Sequence, residues 1–181
     1  MKLLFTSVLT LLIAVNSWAA DLKGADVSQW LKSMQVLQPW MDKNEEKFSA
    51  QISEPTNPDV AFKEAVSALK KAGLYDELNG KLKKLGYESV EQWNQLTRQV
   101  TFAWMALEMK QNQAEVEAAK AQYEAMKNNP NIPPEQKAMM EQMMAPALAM
   151  VQMANQSSAA DQNAVKPHQK ALRDHFNANG Q

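Results

Sequence analysis

Residues 86–96, GYESVEQWNQL, predict where one helix ends and the next begins. Gly86 can end a helix in the left-handed conformation that glycine adopts most easily. Ser89 and Gln92 form the S-x-x-Q pattern of a capping box, in which each side chain bonds a free backbone N–H group at the beginning of a helix. This segment therefore predicts two helices joined by a tight turn.

The residues after this turn predict a long helix. Apolar residues recur at spacings of three and four, the period of a helix that is buried along one side: Val90, Trp93, Leu96, Val100, Ala103, Trp104 and Leu107. A second stripe of Phe102, Met105 and Met109 predicts burial on two sides. Residues 114–129 are rich in Ala, Glu and Lys, which favour helices. We expect the helix to run on through them and to lie at the centre of the fold.

The chain before this turn predicts three further helices. The first shows a helical stripe from Val27 onward, and Pro39 should kink it or split it in two. The second should begin at Pro58, since proline suits the first helical position, with Asn57 as its cap. Gly73 should end it, and a short third helix should fill the space before Gly86.

The C-terminal third predicts two more helices, separated from the long one by a break at residues 128–134. One is rich in methionine, and the last spans about residues 159–178, contains Pro167 and can dock loosely. No alternating strand pattern and no internal repeat is present. The predicted fold class is therefore all-α, a single-domain bundle of about five or six helices with a long central helix.

The first nineteen residues have the pattern of a secretory signal peptide. Lys2 provides a basic start, residues 3–15 are mainly apolar, and Ser17 and Ala19 place small residues before a cleavage site. Cleavage after Ala19 would leave residues 20–181 as one all-α domain. The apolar run is too short to span a bilayer comfortably. We expect an exported protein, most simply in a bacterial periplasm.

Composition excludes several classes of function. The chain has 19 Lys and Arg against 20 Asp and Glu, a net charge of −1. Removing Lys2 leaves 18 against 20, or −2, so the charge balance argues against a nucleic-acid partner. There is no cysteine, so disulfides and thiolate chemistry are excluded. After the leader, no stretch is long and apolar enough to cross a membrane.

No pattern indicates catalysis, and we predict neither catalytic residues nor a cofactor. The two histidines, His168 and His175, lie seven residues apart, whereas a zinc pair on a helix more often uses three or four. The carboxylates stand among Lys, Gln and Asn, as on solvated helix faces. An enzyme that uses carboxylates dispersed in sequence is the least favoured class of function.

Residues 137–153, KAMMEQMMAPALAMVQM, hold six of the twelve methionines. At roughly 100° per residue these six lie on about half of a helix circumference: Met139, Met140, Met143, Met144, Met150 and Met153. Three interpretations stay open. The face can complete the core, because methionine fills irregular gaps. It can bind other proteins or apolar ligands, because Met-rich surfaces adapt to different partners.

The third interpretation is a soft-metal site. Thioethers select Cu(I), and a chain without cysteine would have to use methionine and histidine for it. The candidate ligands are Met139, Met140, Met143 and Met144, with His168 as a further ligand.

Residues 132–144, IPPEQKAMMEQMM, resemble the helix start of the small periplasmic Spy/CpxP chaperones. Their L-T-x-x-Q motif is often followed by a helix that contains Lys and Met. Here Ile132 stands in place of the leucine and Pro133 in place of the threonine. LTRQV at Leu96 has the Leu-Thr pair but places glutamine one position early. The resemblance covers about a dozen residues, and it favours the binding-surface interpretation.

Overall fold

A computed structural model of the chain describes residues 21–52 and 58–178. The predicted signal peptide, residues 1–19, and the predicted cap Asn57 lie outside the described residues. The described chain forms eight α-helices and one 3₁₀ turn: α1 Gly24–Ser49, α2 Pro58–Lys71, α3 Tyr75–Lys84, α4 Val90–Gln111, α5 Gln113–Lys127, α6 Pro134–Ala154, α7 Ala159–Val165, the turn Lys166–His168, and α8 Gln169–Ala178. No strand occurs in these ranges, so the all-α prediction is confirmed.

The predicted number of five or six helices is wrong, because two predicted helices are interrupted. Asn112 has φ −107° and ψ 26°, outside the helical region, and it separates α4 from α5. Its side-chain amide donates to the carbonyl oxygen of Glu108 at 3.1 Å, a local bond that competes with helix continuation. Pro167 similarly places a 3₁₀ turn between α7 and α8.

The continuous long central helix is therefore not confirmed, and α4 alone occupies the centre. It packs against α1, α2, α3, α6 and α7. Both of its predicted stripes are used: Val90, Val100 and Ala103 are fully buried on one, and Phe102 is 4% exposed on the other. By contrast, Pro39 does not split α1. Proline has no N–H group, so one carbonyl group in the preceding turn of the helix has no partner. Because the side chain of Pro39 is exposed, this carbonyl group lies on the side of the helix that water reaches.

The predicted helix ends are confirmed at both glycines. Gly73 has φ 70° and Gly86 has φ 90°, in the left-handed region that disfavours residues with a side chain. After Gly86, the N–H group of Tyr87 donates to the carbonyl oxygen of Leu82 at 3.1 Å, the long bond of a Schellman motif. The second helix begins at Pro58, also as predicted.

The capping box at α4 differs in one bond. Ser89 Oγ accepts from the N–H group of Gln92 at 3.2 Å, as predicted. The Gln92 side chain reaches back one residue further than expected and accepts from the N–H group of Glu88 at 2.8 Å. One N–H group before the helix and one in its first turn are therefore still satisfied, so the cap keeps its function.

A buried polar network joins α1 to α4 inside the apolar core. Ser33 is 1% exposed, and its hydroxyl donates to the carbonyl oxygen of Trp30 at 2.7 Å. The same oxygen accepts from Trp93 Nε1 at 2.9 Å and from the Tyr87 hydroxyl at 3.3 Å. Trp30 Nε1 in turn donates to Thr97 Oγ1 at 2.9 Å. Burial raises the pKa of the Tyr87 hydroxyl above its ordinary value.

The C-terminal segment packs on this core. Val165 and Leu172 are fully buried, and the ring of Phe176 stacks on Trp104 with centroids 4.3 Å apart. Arg173 donates to both carboxylate oxygens of Glu108, at 2.8 and 2.9 Å. Burial alone would raise the pKa of Glu108, but bonds from α8 and the Arg173 charge outweigh it and lower the pKa.

The beginning of the described chain is also held by this segment. Leu22 is 6% exposed, and its N–H group donates to Asp161 Oδ1 in α7 at 2.7 Å. This bond connects residues that are 139 positions apart in sequence. The beginning of the described chain is thus bonded to helix α7.

Candidate binding surface on helix α6

Helix α6 begins at the proline pair that was predicted to break the chain. Pro133 has φ −57° and ψ 146°, the extended conformation that a residue before proline prefers, and Pro134 occupies the first turn. The first helical bond runs from the N–H group of Lys137 to the carbonyl oxygen of Pro133 at 3.1 Å. Ala, Met, Glu and Gln favour helices, and α6 continues past Pro146 to Ala154.

One side of α6 packs against α2 and α4. The apolar residues on this side are half-buried and recur at helical spacing: Met140, Met144, Leu148 and Val151. They occupy a sector about 80° wide at 100° per residue. This side therefore serves as the packing stripe of the helix.

A second group of methionines faces solvent. Met139 is 66% exposed, Met143 75% and Met150 41%. We call these three residues the methionine strip. They lie within about 40° of one another around the helix, and about 100–140° from the centre of the packing stripe, at 100° per residue. Ala147, which lies between Met143 and Met150 in sequence, is also exposed.

The sixth methionine has a third environment. Met153 is 3% exposed and Ala154 is 1% exposed, where the end of α6 leads into α7. The six residues predicted to form one face are thus divided among solvent, a packing stripe and the core. The sequence pattern could not separate them, because a helical wheel gives relative directions and not the position of the neighbouring helices.

The surroundings of the methionine strip carry little charge. Gln136 and Gln142 flank it and are exposed, and Glu135 is the charged residue on its side of the helix. The other nearby acid, Glu141, points away and pairs with Lys127 of α5 at 3.3 Å. The strip is therefore an apolar surface with a largely neutral, amide-rich border.

The four proposed soft-metal ligands are not placed alike. Met139 and Met143 are exposed, whereas Met140 and Met144 are half-buried on the packing stripe. His168, the proposed helper, lies beside the beginning of α1, with its Nε2 atom 3.6 Å from the position that a Cβ atom on Gly24 would occupy. Within residues 21–52 and 58–178, no group of three His, Cys, Asp or Glu residues could hold a metal ion.

Two open clefts were not predicted. One, of about 380 Å³, lies where the end of α6 meets α4, α5 and α7, and combines Met109, Val116 and Val151 with Lys110 and Lys120. The other, of about 300 Å³, lies between the first turns of α1 and α4 and is lined by both polar and apolar residues. Their residues come from distant parts of the chain, so no sequence motif marks them.

None of the described helices is both long and apolar enough to cross a membrane.

Comparisons of the chain with models of protein families, with curated proteins and with solved structures find no match. The resemblance of residues 132–144 to the periplasmic chaperones therefore rests on the quoted residues alone.

Proposed function

We propose that the protein is exported and binds short apolar segments of other proteins through the methionine strip, without catalysing a reaction. The observation that carries this proposal is the exposure of three aligned methionines, at 66%, 75% and 41%. The other exposed large hydrophobic residues among the described ones are Val36 and Val60, which stand singly on α1 and α2. Single exposed apolar residues are ordinary on protein surfaces, whereas an aligned group needs an explanation.

The length and composition of the strip indicate what it binds. Met139 and Met150 are eleven residues apart, which corresponds to about 16 Å along a helix. An extended segment of about five residues has this length. Because the border is nearly neutral, the partner needs apolar side chains and no particular charge. Methionine side chains are unbranched and flexible, so they can adapt to partners of different shape.

The surface is small, so we expect weak and reversible binding. Stable protein–protein interfaces bury about 800 Å² on each partner, and three methionine side chains provide only a part of that area. A dissociation constant in the micromolar range or weaker is therefore expected, which suits transient contact with many sequences better than a permanent complex.

The test uses a fluorescein-labelled peptide with five consecutive Leu, Val and Phe residues flanked by Ser and Gly. Its fluorescence anisotropy is titrated with the full chain and with the variant Met139→Gln/Met143→Gln/Met150→Gln. Glutamine keeps side-chain length and helix propensity but is polar, so binding should weaken at least tenfold while the helix content by circular dichroism stays unchanged. Val36→Gln/Val60→Gln is the matched control, since it removes two exposed apolar side chains elsewhere. Equal weakening in both variants refutes the proposal.

Leucine substitutions distinguish the soft-metal alternative from this proposal. Leucine keeps apolar volume and helix propensity but offers no sulfur ligand. Replacing Met139, Met140, Met143 and Met144 by Leu should leave peptide binding within about twofold, because apolar contact is retained. The second measurement is a titration of the chain and of this leucine variant with Cu(I), against a competing chelator under anaerobic conditions. Stoichiometric Cu(I) binding that the leucine variant loses would establish the metal function instead.

A further inference from the structure

We infer that Met139 and Met143 are reversible oxidation sites, whose conversion to sulfoxides by hydroperoxides switches the methionine strip from apolar to polar. The switch rests on the proposed function; the oxidation sites do not. Oxidation requires exposure, because a peroxide has to reach the sulfur atom. Met143 and Met139 are 75% and 66% exposed, whereas Met153 on the same helix is 3% exposed. Met140 and Met144, also on α6, are half-buried.

The composition of the chain directs peroxide to these thioethers. It contains no cysteine, so there is no thiolate to react first. The thioether sulfur attacks the terminal oxygen of the hydroperoxide, forming the S–O bond while the O–O bond breaks; the departing oxygen takes the electron pair of that bond and the proton of the attacked O–H group. Sulfur is oxidised by two electrons to the sulfoxide, and the hydroperoxide is reduced to water or to an alcohol.

The position of the two residues makes this oxidation harmless to the fold. A sulfoxide is polar and chiral, and it disrupts an apolar core when it forms inside one. Met139 and Met143 instead lie about 140° and about 100° around the helix from the centre of the packing stripe, at 100° per residue. The packing stripe against α2 and α4 therefore stays intact while the outward surface changes. Methionine sulfoxide reductases, one for each sulfoxide epimer, can reverse the change.

The test follows oxidation residue by residue. The full-length chain is treated with limiting hydrogen peroxide, the reaction is stopped with free methionine, and the sulfoxide at each position is measured by proteolysis and fragment-ion mass spectrometry. We expect Met143 and Met139 to oxidise severalfold faster than Met140, Met144 and Met153. Met139→Leu/Met143→Leu should remove the fast phase, and the matched control Met140→Leu/Met144→Leu should retain it. Equal rates at all described methionines would overturn the assignment.

The switch is tested on the same samples. After oxidation of Met139 and Met143, the thermal unfolding midpoint should stay within a few degrees of its starting value, and binding of the apolar peptide should fall at least tenfold. Treatment with both sulfoxide reductases should restore it. Unchanged peptide binding by the oxidised chain would refute the switch. If the reduced chain fails to bind the peptide, the proposed function and the switch both fall, while the mass spectra still decide the oxidation sites.

Discussion

Replacing Ser33 by alanine removes the centre of the buried network between α1 and α4. Its hydroxyl oxygen accepts from Trp93 Nε1 at 2.9 Å and from the Tyr87 hydroxyl at 3.3 Å. Ser33 is 1% exposed, Tyr87 6% and Trp93 9%, so water does not readily replace the lost acceptor. Each buried donor left without a partner costs about 1–3 kcal/mol, and the 3.3 Å bond is the weaker of the two. We therefore expect Ser33→Ala to lower the free energy of unfolding by about 2–4 kcal/mol.

The assay is equilibrium unfolding in urea, followed by tryptophan fluorescence and by circular dichroism. A domain of this kind is expected to have about 5–15 kcal/mol of stability, so the predicted loss is a large fraction of the total. The midpoint should fall while the slope with urea stays constant, because the surface exposed on unfolding does not change.

Ser28→Ala is the matched control on the same helix. The Ser28 hydroxyl donates to the carbonyl oxygen of Gly24 at 3.1 Å, but it is exposed and accepts no bond from a buried donor. Its replacement should change stability by no more than about 0.5 kcal/mol. In Trp93→Phe, which lacks one of the two donors, the cost of Ser33→Ala should become smaller. Equal small effects of Ser33→Ala and Ser28→Ala would refute this account of the core.

Three further predictions concern helix ends and docking. Gly86→Ala should lower the free energy of unfolding by about 1–2 kcal/mol, because φ at this position is 90°. Gly80 lies inside α3, and nothing lies within 4 Å of a Cβ atom added there. Gly80→Ala should therefore raise the free energy of unfolding by about 0.5–1 kcal/mol in the same urea unfolding assay. The pKa of Glu108 in the folded protein is lowered from the ordinary value of 4.5, so its carboxylate stabilises the fold above pH 4.5. This stabilisation is lost as the pH falls through the folded pKa. In Glu108→Gln, the free energy of unfolding should therefore decrease less steeply when the pH is lowered through this range. Asp161→Ala should accelerate amide hydrogen exchange at Leu22, whose N–H group loses its acceptor, and Asp161→Asn should do so less.

The turn at residues 86–96 shows what could be predicted from sequence. The left-handed Gly86 and the cap by Ser89 depend on groups within a few positions of one another, so the pattern carries the information. At Asn112 the predicted helix continuation is wrong. High helix propensity on both sides predicted continuity, but the amide of Asn112 bonds the carbonyl oxygen of Glu108 and the backbone turns away.

Helix α6 shows the same contrast between what the sequence pattern predicts and what it leaves open. The pattern predicted the existence of α6 and the angles between its methionines, because the period of a helix depends on the backbone alone. It could not indicate that Met140 and Met144 would be half-buried while Met139 and Met143 are exposed to solvent. That depends on the direction from which the other helices approach.

By itself, the sequence determined that the described chain is helical and where helices begin or end at Pro58, Gly73, Gly86 and Ser89, since local bonds and backbone sterics decide these features. Only the tertiary structure decided which methionines remain exposed, and that Ser33 meets two donors from 54 and 60 positions away. The physical reason is that burial and buried hydrogen bonds are properties of pairs of segments, which no single segment specifies.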